Sequence, residues 1–111
     1  MGAFAVGQVV ILPFPFSDLS HQKYRPALLL AEAGKDDWIA CQITSNRYAD
    51  PLAIEINADD FSKGSLQRLS YARPGKIFTA HRSLFSRVVG QLSDNKVQHV
   101  RLAVITLLNG D

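Results

Sequence analysis

The residue best placed for chemistry is Arg25, at the mouth of the apolar run Tyr24-Arg25-Pro26-Ala27-Leu28-Leu29-Leu30. Proline fixes its own φ and pushes the preceding residue toward extended geometry, so Arg25 is expected at a strand entrance with its side chain aimed. Its planar guanidinium offers a fork of donors that matches two oxygens of one phosphate. The second candidate is Thr44, at the end of the alternating stretch Trp38 to Thr44. A period of two puts Ile39, Cys41 and Ile43 on one face and Ala40, Gln42 and Thr44 on the other, so the Thr44 hydroxyl is expected to turn away from the apolar side. Glu32-Ala33-Gly34-Lys35-Asp36-Asp37 reads as a hairpin connection between the two runs, and an antiparallel pair would then bring the Arg25 end near the Thr44 end. Spacing alone leaves Arg25 a strand-end surface charge and Thr44 an ordinary strand residue, though a cationic fork and a hydroxyl at adjoining strand ends are a pair that could hold and polarise a phosphoryl group.

Other reactive side chains are few. His21 lies in the polar loop Ser17-Asp18-Leu19-Ser20-His21-Gln22-Lys23, where it reads first as a solvated loop residue and second as an accessory proton carrier near neutral pH. His81 reads as the start of a helical turn, and His99 falls on the C-terminal helix. Cys41 is the single cysteine, so no disulfide forms within the chain, and its apolar setting points to a buried structural thiol. Asp36-Asp37 and Asp59-Asp60 are adjacent pairs in turns, and no His or Cys cluster has ligand spacing, so no metal is expected. The seven glycines are scattered and form no phosphate-cradling loop. No cofactor is expected either.

The net charge is only +2, but it is unevenly spread. Residues 1–60 carry eight acids against Lys23, Arg25, Lys35 and Arg47, a balance of −4. From Phe61 to Ser93 there is no acid, while Lys63, Arg68, Arg73, Lys76, Arg82 and Arg87 give +6. Such a block suits phosphates or an acidic protein segment, and Tyr71, Phe78 and Phe85 interleave with it as rings on which bases could stack.

The elements that must position these residues follow from pattern. Val6 to Phe14 reads as a strand ending in Pro13-Phe14-Pro15-Phe16, followed by strands over about Arg25 to Ala31, Trp38 to Thr44 and Leu52 to Ile56. Asn57-Ala58-Asp59-Asp60 with Gly64 marks a long turn. Ser65 to Arg73 and Gly75 to Phe78 read as strands interrupted by Pro74-Gly75, Ala80 to Phe85 as one helical turn, and Arg87 to Leu92 as a further strand. A helix closes the chain: Ser93 or Asp94 caps it, Val97, Val100, Arg101, Val104, Leu107 and Leu108 share a face, and Gly110 supplies the exit. With 111 residues, 47% hydrophobic and 20% charged, the chain is expected to form one α+β domain over residues 1–111, a mainly antiparallel barrel-like sheet with a C-terminal helix. No apolar run approaches the ~20 residues of a membrane span. The start Met1-Gly2-Ala3-Phe4-Ala5 lacks the features of a signal peptide, so a cytoplasmic setting is expected.

Gly7-Gln8-Val9-Val10, Arg25-Pro26-Ala27-Leu28-Leu29-Leu30, Gln42-Ile43-Thr44-Ser45, and Ser65 through Lys76-Ile77-Phe78-Thr79, in this order and spacing, resemble the MazF/PemK family of toxin endoribonucleases. The resemblance implies an SH3-like barrel of the PemK/MazF type, a homodimer, and a cognate antitoxin partner through which alone DNA would be reached. It also implies sequence-selective, metal-independent cutting of single-stranded RNA. The family's catalytic arginine and threonine match Arg25 and Thr44, with His21 as a possible accessory. Lys23, Gln42, Ser45, Arg68, Arg73 and Lys76 are expected to contact RNA or antitoxin. Relatives often carry an acid in the loop before the arginine, whereas Ser20-His21-Gln22-Lys23-Tyr24 has none, so the general base stays unassigned. Two other readings are a same-fold toxin aimed at a protein such as gyrase, and a binding module without catalysis.

Overall fold

The apolar run Ala27-Leu28-Leu29-Leu30 is almost wholly shielded from solvent, and alternate residues enter two different apolar clusters. Such a segment needs neighbours on both edges and cover on both faces. In the computed structural model, which describes residues 3–15 and 22–110, it forms the middle of a seven-stranded antiparallel sheet. The strands are β1 (Gln8–Pro15), β2 (Gln22–Gly34), β3 (Asp37–Thr44), β4 (Ile54–Ile56), β5 (Phe61–Gly64), β6 (Ser70–His81) and β7 (Arg87–Leu92), followed by helix α1 (Asp94–Asn109). Their spatial order is β4-β6-β3-β2-β1-β7-β5.

The sheet is curled into a half-barrel, and chain length explains why. Its two outermost strands, β4 and β5, are joined only by residues 57–60. That link reaches roughly 17 Å at full extension, whereas six inter-strand gaps in a flat sheet would separate the edges by roughly 29 Å. Lys96 of α1 reinforces the closure, donating to the Glu55 carbonyl at 3.1 Å and pairing with Asp60 at 3.6 Å.

Helix α1 covers one face. Val97, Val100 and Val104 pack with Val9, Leu28, Leu30, Cys41, Ile43 and Leu92. Ser93 caps its start by accepting from the Lys96 amide, and Gly110 ends it in the left-handed region at φ 80°. Leu107 and Leu108, expected on the packed face, are instead exposed, because the buried stripe ends one turn earlier at Val104. The other face carries a second apolar cluster of Val10, Leu12, Ala27, Leu29, Trp38, Ala40 and Ala80, flanked by Phe4, Phe78 and Phe85.

Several boundaries differ from the sequence reading. The expected strand from Ser65 to Arg73 begins only at Ser70, and it runs on through Pro74-Gly75 to His81 as a single strand. The interruption is present in the ladder: between the pairs Ile43↔Ala72 and Cys41↔Ile77, residues 73–76 of β6 stand against Gln42 alone. Proline has no N–H to donate, so it is accommodated in a bulge. The expected long turn after Ile56 resolves into a 3-10 turn, Ala58–Asp60, fixed by an Asn57 capping box, and then the short strand β5. Pro13 and Pro15 sit inside β1, beyond its ladder with β7, which spans only Gln8–Ile11. The β2–β3 hairpin forms as expected, with Lys35 and Asp36 both at positive φ in the tight turn.

Candidate active site

Strand register assembles the site. Leu12 pairs with Arg25 across β1 and β2, Thr44 with Tyr71 across β3 and β6, and Glu55 with Tyr71 across β4 and β6. The β2–β3 ladder runs Leu28↔Cys41, Ala27↔Gln42 and ends there, two residues short of Arg25 and Thr44, which the same register carried on would bring opposite each other. Directly opposed residues share a face of the sheet. Leu12–Arg25 and Thr44–Tyr71–Glu55 are therefore two opposed sets on the face that α1 does not cover, and continuing the β2–β3 register joins them into one row across five strands. Val10, Ala27 and Gln42 form the next row, with Arg73 beside Gln42.

This face is not free of apolar side chains, as the period-of-two reading expected. Leu12, Ala27 and Ala40 belong to the second cluster, and the row is its polar margin. Thr44 is consequently only 9% exposed, and Arg25 is half-buried with its Nε out of contact with solvent. Partial exclusion of water strengthens the attraction between such a cation and a bound anion. The Thr44 Oγ1 accepts from the Asn46 amide at 3.1 Å, which leaves the hydroxyl proton available to a second acceptor.

Arg73 is the best-anchored cation near the row. Its Nε donates to Asp50 Oδ2 at 3.0 Å, its Nη1 reaches Gln42 Oε1 at 3.5 Å, and its guanidinium carbon lies 5.0 Å from the centre of the Tyr48 ring. The Arg73 hydrogen bond, aided by the Leu52 amide, holds the Asp50 carboxyl below the usual aspartate range. On the far side of β3, the Cys41 thiol donates to the Arg73 carbonyl at 3.2 Å, and burial pushes its pKa up to about 12. It is a structural thiol, as expected.

The remaining candidates are dispersed. Lys23 and Ser45 are exposed near the two strand ends, and Gln42 is half-buried. The basic block is divided between β5 (Lys63), the segment before β6 (Arg68), β6 (Arg73, Lys76), the following turn (Arg82) and β7 (Arg87), and of these Arg73 has a side-chain contact to Gln42. His81 caps the 3-10 turn Arg82–Leu84 through its Nδ1. His21 and most of its loop lie outside the described residues. No three His, Cys, Asp or Glu side chains converge among the described residues. A hollow of about 710 Å³ between β5 and β7 holds none of the row, whereas an apolar hollow of about 360 Å³ opens beside Leu12, lined by Pro13, Phe14, Phe78 and Thr79. Sequence reasoning missed Asp50 and Tyr48. Their one signal was Asn46-Arg47-Tyr48-Ala49-Asp50, a turn-rich segment directly after Thr44.

A sequence model of PemK-like, MazF-like toxins of type II toxin-antitoxin systems matches residues 5–108. The chain belongs to the PemK/MazF toxin family. Its fold is correspondingly similar to a MazE-MazF complex from Deinococcus radiodurans, with TM-score 0.73 and 21% identity over 94% of each chain. It is similar too to an endoribonuclease in complex with its cognate antitoxin from a Mycobacterial species, with TM-score 0.72 and 18% identity over 98% of this chain and 96% of that one. A third similar structure is the Mycobacterium tuberculosis toxin MazF-mt6, with TM-score 0.66 and 15% identity over 90% of this chain and 96% of that one. No curated protein sequence gives a match. The PemK/MazF match covers both ends of the Arg25 to Thr44 row and most of α1.

Proposed function

We propose that this toxin is a metal-independent endoribonuclease that cuts single-stranded RNA at the Arg25–Thr44 row. The observation that supports the reading is that Arg25 and Thr44 lie near neighbouring ends of the adjacent strands β2 and β3, a guanidinium and a hydroxyl at the water-poor margin of one sheet face. In the reaction, the 2′-hydroxyl gives up its proton as its oxygen bonds to the neighbouring phosphorus, the bond from phosphorus to the 5′-oxygen breaks, and the departing 5′-oxygen takes up a proton, so none is gained or lost overall. The products are a 2′,3′-cyclic phosphate and a 5′-hydroxyl. Negative charge accumulates on the phosphoryl oxygens in between, and the Arg25 fork meets it with donors already in place. Thr44, its oxygen engaged by the Asn46 amide, donates a hydrogen bond to one of those oxygens. The positive charge at the phosphate belongs to Arg25, so the step requires no cation. Exposed Lys23, Ser45, Arg68 and Lys76 draw the RNA strand by its phosphates.

The solved relatives named as toxin–antitoxin complexes support a protein partner, and a cognate antitoxin covering the row would inhibit by competition. Leu102, Ile105 and Leu108 of α1 are 54%, 51% and 72% exposed, an apolar surface that a second copy would cover in a homodimer. The test of the reading is to incubate the purified protein with mixed RNA in excess EDTA and map the new ends. Discrete cuts at recurring short sequences are expected, and intact RNA would contradict it.

A further inference from the structure

We infer that Tyr48 is a stacking platform for a base flanking the cut phosphate, held in place by Arg73 and Asp50. This rests on the reading of the sheet face as an RNA site. Three independent observations lead to it. Tyr48 is 57% exposed although it is a large aromatic residue in a short loop. It and Ala49 adopt left-handed φ values of 57° and 54°, a conformation that side-chain-bearing residues hold only when the surroundings enforce it. The surroundings here are specific: the Tyr48 amide donates to Asn46 Oδ1 at 2.9 Å, the Asn46 amide donates to Thr44 Oγ1 at 3.1 Å, and the Asp50 amide closes the turn onto the Arg47 carbonyl at 3.0 Å. Two hydrogen bonds thus tie the platform to the proposed catalytic hydroxyl.

Arg73 supplies the rest. Its guanidinium lies over the ring at 5.0 Å while Asp50 takes its Nε and Gln42 its Nη1, so the arginine is fixed with its charge partly balanced. A cation on one face of the ring orients it and leaves the opposite face for another flat group. A nucleobase fits that description, and its stacking on an aromatic side chain tolerates any base. Arg73 is then a positioning residue acting through Tyr48, in distinction to Arg68 and Lys76, which are exposed to solvent and suited to meeting phosphates.

The test is equilibrium binding of the full chain to a 2′-O-methyl RNA pool, which lacks the nucleophile, and to an abasic oligomer of equal length and charge. Tyr48→Ala should weaken binding of the base-bearing pool about tenfold and leave binding of the abasic oligomer unchanged, while Tyr48→Phe restores most of the loss. Arg73→Met, which keeps the stem but loses the cation, should show the same base-dependent loss in smaller measure. Equal binding of the base-bearing pool by wild type and Tyr48→Ala, equal loss on both oligomers, or no binding by wild type would each overturn the inference. A wild type that binds through Tyr48 yet leaves cleavable RNA intact would instead overturn the ribonuclease reading alone.

Discussion

Thr44→Val separates chemistry from architecture at the site. Valine nearly matches threonine in shape, so packing at this 9% exposed position is retained while the hydroxyl is lost. The structural cost is the bond from the Asn46 amide to Oγ1, 3.1 Å long. Asn46 is exposed, so its freed N–H reaches water and the destabilisation should stay near the value of one ordinary hydrogen bond, about 0.5–1.5 kcal/mol. If the same hydroxyl donates to a phosphoryl oxygen in the transition state, its removal should cost about 2.7–4 kcal/mol of barrier, or 10²–10³ in rate. Urea unfolding and single-turnover cleavage of an end-labelled RNA measure the two quantities on one sample. A folded Thr44→Val protein cutting RNA at a near-wild-type rate would refute the reasoning, as would Thr44→Ser being equally inactive, since serine keeps the hydroxyl.

Three further outcomes are expected. Arg25→Lys keeps the charge and loses the fork, so cleavage should fall about 100-fold, the worth of a misplaced donor at a developing oxyanion; full activity would mean that charge alone suffices. The Cys41 thiol, whose pKa is raised from 9.0 to about 12 by burial, binds its proton more tightly in the folded chain, so its contribution to stability is complete below pH 9 and is lost as pH climbs toward 12. Denaturant midpoints should fall over that window, and iodoacetamide should label the native chain at mildly alkaline pH only as fast as it unfolds; immediate labelling would contradict the burial. Arg68→Glu and Lys76→Glu should each weaken RNA binding at low salt, with the difference shrinking as salt rises, and unchanged low-salt affinity would mark those side chains as solvated surface.

The parts of this fold legible in the sequence were those set by local chemistry. The helix start at Ser93, its exit at Gly110, the β2–β3 hairpin and the strand Arg87–Leu92 all follow from caps, turn residues and alternation. The approach of the Arg25 end of β2 to the Thr44 end of β3 was legible for the same reason, because a short hairpin makes the two strands antiparallel neighbours. What was not legible depended on strands distant in the chain. Nothing near Pro74 says that β6 continues through a bulge, because what continues it is its pairing with β3 on both sides of the proline. The Arg73–Asp50 pair joins residues 23 positions apart across that bulge, so neither composition nor period marks it. The basic block, continuous in sequence, is divided among strands by a topology that its charge does not encode.

The central claim is that the Arg25–Thr44 row cuts RNA by attack of the internal 2′-hydroxyl. The most direct measurement uses the RNA mapped as cleaved, in excess EDTA, beside the same RNA carrying a single 2′-deoxyribose at the cut position. The all-ribose strand should yield a 2′,3′-cyclic phosphate and a 5′-hydroxyl, and the substituted strand should stay whole at that position with wild-type protein. Cleavage of the substituted strand at the same bond would contradict the account.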